Sequence, residues 1–249
     1  MITPICSIIV IINNKKIYED FLENIKNQIN VEYEIISIDN CSNEYNSARI
    51  AYNEAVLRAK GRYIIFMHPD IRFLKKDVLI TFVNYLSNLR SFGVVGIAGS
   101  PSYRIDGKRI ILTNIRHGKH KKVVGTNINA VTEVQTVDEC FFAVEKRFFE
   151  QMPFSYKKGW HLYAVEYCLK SNDVGRKNYV VPADIWHLSD GKSLDYKYVM
   201  QIRKLIKEYC KKTMYINTTV KGWKTNGFSS NCYVIYYIIK QWIKIKLKR

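Results

Sequence analysis

The sequence predicts an α/β fold built on a central, mostly parallel sheet flanked by helices, and three observations predict it. Short apolar, β-prone runs alternate with stretches of helical periodicity through the first hundred residues. No internal repeat and no Pro- or Ser-rich linker divides the chain. The residues able to do chemistry fall just after the predicted strands, the end at which ligands collect in open α/β sheets.

The elements follow in order. Residues 6–12 are a buried-strand run, C-S-I-I-V-I-I. Residues 18–28 repeat apolar side chains at helical spacing through Phe21, Leu22 and Ile25. Residues 33–38 form a second strand and end in Asp39-Asn40-Cys41-Ser42. Residues 47–59 read as a helix that Gly61 stops. Residues 62–67 are the third strand, which runs into His68-Pro69-Asp70. Residues 77–89 are helical, and residues 94–98 form a fourth strand closed by Gly99 and Pro101. Right-handed crossovers make such an alternation a parallel sheet. Residues 102–125 are polar, basic and aperiodic, as in a mobile loop or hairpin. Residues 130–137 are β-like and lead into Asp138-Glu139-Cys140. Residues 160–171 are helical, residues 179–181 form a strand, and Trp186-His187 precedes a Gly turn. Residues 195–212 make a basic helix. The expected division is one domain over residues 1–220 and a basic amphipathic helical appendage over 221–249.

The chain has 249 residues, enough for a sizeable core, and an apolar share of 47%, so disorder is excluded. Lys and Arg number 39 against 22 Asp and Glu, a net charge of +17 that favours an anionic partner. The excess is uneven: residues 197–249 carry 13 basic residues and one acid, Glu208. Six scattered cysteines show neither CxxC nor zinc-knuckle spacing, which argues against structural zinc and a disulfide framework. The N-terminus has no basic start or cleavage site and reads as a strand, and no apolar run reaches the roughly 18 residues of a membrane span. The expected location is cytoplasmic, on the inner face of the membrane if the tail binds lipid. In that tail Ile235, Ile238, Ile239 and Trp242 fall at i, i+3, i+4 and i+7, with Lys240, Lys244 and Lys248 on another face. This pattern suits an anionic membrane surface, or else a helix packed on the domain.

Neither GxGxxG nor GxxxxGK[ST] is present, so a dinucleotide fold and a P-loop are unsupported. His68-Pro69-Asp70 reads either as a strand stop or as two metal-capable side chains delivered to one point. Oxygen ligands suit Mg²⁺ or Mn²⁺, and an imidazole favours Mn²⁺ of the two. His187, between a strand and a Gly turn, is a further candidate ligand.

Strand one followed by N-N-K, strand two ending in I-D-N-C-S, and the run A-Y-N-E-A-V-L-R-A-K-G-R-Y-I-I-F-M-H-P-D-I together resemble a GT-A glycosyltransferase of the large family-two type. There the corresponding segment runs N-x-G/A, a helix, then G-x-Y-I-x-F-x-D-x-D. The later G-W-H-L-Y-A-V-E-Y-C-L-K and I-W-H-L-S-D-G resemble the branch named after a streptomycin-biosynthesis protein. The resemblance covers residues 5–212. It implies a GT-A, Rossmann-like sheet and a nucleotide-diphosphate sugar donor. Asn13, Asp39, Asn40 and Asn53 would hold the nucleotide. Trp160, in an aromatic cluster with His161 and Tyr163, reads either as core or as a ring that stacks on the sugar. Asp70, with His68 and His187, would hold Mn²⁺ or Mg²⁺ against the diphosphate. His68 stands where relatives have the first Asp of D-x-D, and Ala164 stands where many carry an acid. Glu166 and Asp138 are then the candidates for the base that takes the acceptor's proton. Arg104, Lys108, Arg109 and Arg116 are either solvated charges or a loop that closes over a diphosphate. The expected acceptor is a glycan, lipid-linked or protein-linked. The alternatives are a catalytically weak sugar-nucleotide-binding subunit of a partner enzyme, and a nucleic-acid-binding α/β protein argued from charge alone. No recognisable nucleic-acid module supports the second.

Overall fold

The computed structural model describes residues 4–189 and 194–247. Its elements in chain order are β1 (Cys6–Ile12), α1 (Lys15–Ile25), β2 (Tyr33–Asp39), α2 (Ala48–Val56), β3 (Tyr63–Met67), β4 (Ile71–Phe73), α3 (Val78–Asn88) and β5 (Val95–Gly96). A run of short strands follows, of which β6 (Arg116–His117) and β7 (Thr132–Val134) matter here. The chain continues through β8 (Phe141–Glu145), α4 (Lys146–Gln151), α5 (Tyr163–Asp173), β9 (Asn178–Val180), β10 (Ile185–His187), α6 (Tyr196–Tyr209) and α7 (Phe228–Leu247).

The central sheet has seven strands in the order β7-β9-β5-β8-β3-β1-β2. β2, β1, β3, β5 and β9 share one direction, while β8 and β7 run against them. The sheet is therefore mixed, and its parallel half is the one expected. The reversed β8 lies between β3 and β5 as a central strand, a position that sequential crossovers did not predict.

Both faces of the sheet are covered, so β1 and β3 are apolar at every position but Ser7. The pleat divides them. Ile9, Ile11, Ile64 and Phe66 enter one core with α2 and α5. Cys6, Ile8, Val10, Ile65 and Met67 enter the other with α1 and α3. Ser7 is tolerated because its Oγ donates to Glu34 Oε1 and accepts from the Gly61 N–H.

Helix starts follow local chemistry. Asn14 caps α1, its Oδ1 accepting from the Ile17 N–H, so that helix begins three residues before the expected start. Asp195 caps α6 the same way through the Tyr198 N–H.

A third core joins α5, α6 and α7 around Trp223, which is fully buried. Trp223 lies on the strand Gly222–Lys224, paired with Tyr215–Asn217. That hairpin spans the expected boundary at residue 220, so the appendage shares a core with the domain. One face of α7 packs inward through Ser230, Val234 and Gln241. Ile235, Tyr236, Ile239, Trp242 and Ile243 are exposed on the opposite face. All six cysteines are free thiols.

Candidate active site

The sheet explains why His68 and Asp70 follow a strand. β3 ends at Met67, and the His68 N–H still bonds the Cys140 carbonyl at the start of the neighbouring strand β8. Pro69 and Asp70 then turn the chain, with Ile71 N–H closing on the His68 carbonyl at 3.3 Å. The Arg72 guanidinium braces the turn by donating to the carbonyls of Pro69, Ile71 and Ile17. β4 leaves the central sheet and pairs with β10 in a second sheet, Ile71 opposite His187. The Leu188 N–H donates to the Asp70 carbonyl, which fixes the register there. Two residues far apart in sequence thus meet: His187 Nε2 stands 3.1 Å from Asp70 Oδ2. One nitrogen each of His68 and His187 and a carboxylate oxygen of Asp70 lie within 4.8 Å of one another.

The donor set of two imidazoles and one carboxylate suits Mn²⁺ better than Mg²⁺. The residues fit a cation on a second count: His187 Nδ1 is buried with no hydrogen-bond partner among the described residues. Burial alone would lower the His187 pKa, but its bond to Asp70 and the nearby carboxylate charges raise it. Burial likewise works against ionised Asp70, and the His187 bond and charge outweigh it, holding the carboxyl below its usual range. His68 is pushed the other way by burial and favours the neutral, ligand-ready imidazole. Tyr163 Oη donates to the Glu139 carbonyl and lies 3.1 Å from His68 Nε2, which orients the ring.

This cluster separates two cavities. The first, about 350 Å³, is lined by Asn13, Asn14, His68, Asp70, Trp160 and Tyr163, beyond the carboxyl ends of β1 and β3. The second, about 160 Å³, is more enclosed and is lined by His68, His187, Asp138, Glu139, Leu162 and Thr219, among others. His68 borders both.

Not every residue expected at the site reaches it. Asn13, Trp160, His68 and Asp70 share the first cavity, and His187 and Asp138 line the second. Asp39 is exposed beside them, in register with Ile12, one oxygen accepting from the Cys41 N–H and the other 3.7 Å from Lys15 Nζ. Asn40 is a loop brace: it is buried, and its Oδ1 accepts from the Tyr45 N–H. Asn53 engages both ends of its amide with the backbone of Phe154, its Nδ2 donating to the carbonyl and its Oδ1 accepting from the N–H.

Glu166 lines neither cavity. It is 2% exposed and holds Arg49 at 2.9 Å, with Lys157 at 3.0 Å and Lys170 at 3.5 Å. Burial raises its pKa, but the Arg49 charge, with Lys157 and a Ser155 hydrogen bond, outweighs burial and keeps it ionised. A carboxylate neutralised by three cations and removed from the cavities is unsuited to be a base. Its geometry is that of a buried structural pair.

Glu139 was not singled out from the sequence, where it reads as one acid beside another. The structure places it at the start of α5. Leu162 adopts a left-handed backbone, φ +62°, and turns the Tyr163 N–H onto Glu139 Oε1 at 2.6 Å. Ala164, next in the same turn, has no side chain to compete, so Glu139 brings a carboxylate to the place where that helix lacks one. Burial, with the Asp138 charge beside it, pushes Glu139 up to about 8, against the pull of Arg49 and two N–H donors. Asp138 is the opposite case. Burial raises it, but Thr219 Oγ1 and the Cys140 N–H donate to its two oxygens and leave it ionised. Two adjacent carboxyls facing one cavity are thus set apart in acidity, the usual arrangement for dividing proton roles. The signal available in the sequence was the pair itself, Asp138-Glu139 directly after a strand, read together with the missing acid at Ala164.

Residues 7–209 match the model of a family described as glycosyltransferase-like. A protein of Fuscovulum blasticum named "ATP synthase subunits region ORF 6" is 24% identical over 144 residues, 55% of this chain and 55% of its own. The chain therefore spans about half the length of that relative. Among solved structures, the mannosyltransferase PcManGT from Pyrobaculum calidifontis, in complex with GDP-Man and Mn²⁺, has a TM-score of 0.53 at 13% identity. That likeness covers 85% of this chain and 63% of the other. S. aureus TarS 1-349, in complex with UDP-GlcNAc, has a TM-score of 0.55 at 14% identity, covering 83% of this chain and 66% of the other. At these identities the likeness is one of fold.

Proposed function

Because this chain belongs to the glycosyltransferase-like family, we propose that it moves a sugar from a nucleotide-diphosphate sugar to a glycan acceptor carried on a lipid. The observation that carries this reading is the His68–Asp70–His187 cluster, set between a cavity at the strand ends and a cavity walled by two carboxyls. The donor belongs in the first cavity, the nucleotide beside Asn13 and Asp39 and the sugar against Trp160. Asp70, His68 and His187 would hold a divalent cation, Mn²⁺ in preference to Mg²⁺, which when bound would offset the charge that builds on the leaving diphosphate. The acceptor hydroxyl enters the second cavity. Glu139, in the ionised form that its raised pKa of about 8 makes available on the alkaline side, takes the hydroxyl's proton as the hydroxyl oxygen bonds the anomeric carbon and the bond from that carbon to the diphosphate breaks. Ionised Asp138 stands beside it and favours the positive charge of an oxocarbenium-like transition state. The H-x-D and I-W-H-L-S pieces support placement in the streptomycin-named branch.

The exposed face of α7, opposite its packed face, is apolar and flanked by Lys240 and Lys244. We assign it to an anionic membrane surface, which would hold the enzyme beside a lipid-linked acceptor. No helix among the described residues is long and apolar enough to cross a membrane.

The test is Mn²⁺-dependent release of nucleoside diphosphate from a panel of GDP- and UDP-sugars, with thermal shift read in parallel. Turnover supports the enzyme. Donor binding without turnover, on any acceptor fraction, favours the supporting-subunit reading that Ala164 in place of an acid suggests. No response to any nucleotide sugar, with or without metal, sinks both.

A further inference from the structure

A third cavity, about 680 Å³ and wide open, adjoins the carboxyl-walled one: Ile111 and Val220 line both. The cavities therefore run in sequence, the donor side joined at His68 to the reaction cavity and the reaction cavity joined at Val220 to this one. Four cations line it, Arg104, Lys108, Arg109 and Lys221, against one acid, Asp106.

The way these cations are held is unusual. Arg104–Ile105 and Lys108–Arg109 form a tight hairpin whose turn residues, Asp106 and Gly107, both have positive φ, +49° and +69°. The register sets Arg104 directly opposite Arg109. Like charges opposite one another on paired strands destabilise the pairing, and no carboxylate among the described residues relieves it. Arg104 is instead fixed by carbonyls and amides: Nε and Nη2 donate to the Gly107 carbonyl, Nη1 donates to Asn217 Oδ1, and the guanidinium lies over the Tyr215 ring. Arg109 Nη2 donates to the Val220 carbonyl, while its Nη1 is buried without a hydrogen-bond partner among the described residues. Lys221 Nζ sits over the rings of Tyr233 and Tyr237 on α7. Pre-positioned guanidinium groups that line an open cavity with no carboxylate partner among the described residues suit a multivalent oxyanion, and arginine matches phosphate in particular.

We propose that this cavity binds the phosphate or diphosphate of the lipid-linked acceptor. The position argues for acceptor over donor, since the cavity opens from the side of the cluster away from Asn13 and Trp160. The lipid commitment rests on α7, which supplies Tyr233 to the cavity wall and carries the exposed apolar face. A phosphate seated here puts the first sugars of the acceptor into the reaction cavity and its hydrocarbon along that face. The inference rests on the transferase reading and names the acceptor class for it.

The experiment is vesicle flotation of the full chain with three probes. One vesicle is phosphatidylcholine carrying a polyprenyl diphosphate; the second carries phosphatidylglycerol at matched charge; inorganic diphosphate is the competitor in solution. The expected result is preference for the polyprenyl diphosphate vesicle, abolished by inorganic diphosphate. The pair Arg104→Gln/Arg109→Gln should lose that preference ten-fold or more. It should keep the thermal shift given by Mn²⁺ and nucleotide sugar, because that cavity is separate. Lys244→Gln should weaken both vesicles alike and leave the preference intact. If the arginine pair fails to fold, Lys108→Gln/Lys221→Gln replaces it and must reduce the preference. No preference over phosphatidylglycerol, or preference surviving in a folded cavity variant, overturns the proposal. Failure of the wild-type chain to respond to any nucleotide sugar strikes the transferase reading instead, and the vesicle result shows which has failed.

Discussion

The acids of this chain look alike in the sequence and have different roles in the structure, and substitutions should separate them. Asp70 is the carboxylate of the candidate metal cluster. Asp70→Ala should abolish Mn²⁺-dependent stabilisation by the nucleotide sugar while leaving the unliganded melting temperature near wild type, as a differential scan would show. Normal donor and metal binding in that variant would reduce the His68-Pro69-Asp70 turn to a mere exit from the sheet. Glu139→Gln should lower turnover by about two to four orders of magnitude, the usual worth of general base catalysis, with donor affinity little changed. Its pH behaviour gives an independent check. A carboxyl raised from 4.5 to about 8 in the folded state costs nothing below pH 4.5, where both states are protonated. The cost grows up to about pH 8, because the unfolded chain ionises first. Glu139→Gln should therefore match wild-type stability in acid and exceed it above neutrality; equal stability at every pH would mean that the carboxyl is not buried as described. Glu166→Gln should leave turnover of the folded fraction intact and destabilise the protein by about 3–5 kcal/mol, since Arg49 is 3% exposed and loses its counterion. Replacing both Arg49 and Glu166 by apolar residues should recover much of that loss in chemical denaturation.

At the scale of elements, legibility tracked how local the cause was. The strand at residues 6–12 agreed to the residue, and β3 to within one, because a run buried on both faces announces itself in composition. The helix starts expected at residues 47 and 195 lie one residue before α2 and α6, at the positions of Ser47 and Asp195. β8 was not legible. F-F-A-V-E is a good strand, but nothing local says that it enters reversed between two parallel neighbours. Residues 94–98 were expected as one strand and divide into Val95–Gly96 and Ala98–Ser100, in different sheets. The site shows the same split. His68, Asp70 and His187 were legible as candidates because they fall at or just after strand ends, and the structure clusters them, whereas Asn40 and Asn53 were assigned by resemblance and their amides bond nearby backbone. Glu139 escaped because its significance is a tertiary fact, an oxygen reaching the helix start at Tyr163. The appendage follows this logic too. A truncation at residue 232 removes Val234 and the rings of Tyr233 and Tyr237 from around Trp223. It should lower the melting temperature, unlike removal of a free tail; an unchanged transition would mean that α7 contributes nothing to the third core.

At the scale of the molecule, charge and cavities point the same way. The three cavities run from the strand ends through the His–Asp–His cluster to the arginine hairpin, and the sequence's basic excess falls in residues 197–249, the stretch that includes α6 and α7. A globally attractive charge of +17 would bind any polyanion, so charge alone distinguishes neither nucleic acid nor membrane. The apolar arc of α7 weighs toward lipid, because nucleic acid offers nothing to the aliphatic Ile235 and Ile239, although its bases stack on a ring such as Trp242. Each basic residue near an anionic leaflet is worth about 1 kcal/mol and is screened by salt, whereas the apolar part is not. Replacing Ile235, Ile239 and Trp242 together by Ser spares the packed face of Val234, so the melting temperature should hold. Binding to phosphatidylglycerol vesicles should then become weak and fully salt-reversible, while wild type keeps a salt-resistant remainder from the inserted face. Sedimentation across a salt series reads both components. If the triple variant and wild type lose vesicles at the same ionic strength, the outward face of α7 does not enter lipid and the attraction is electrostatic only.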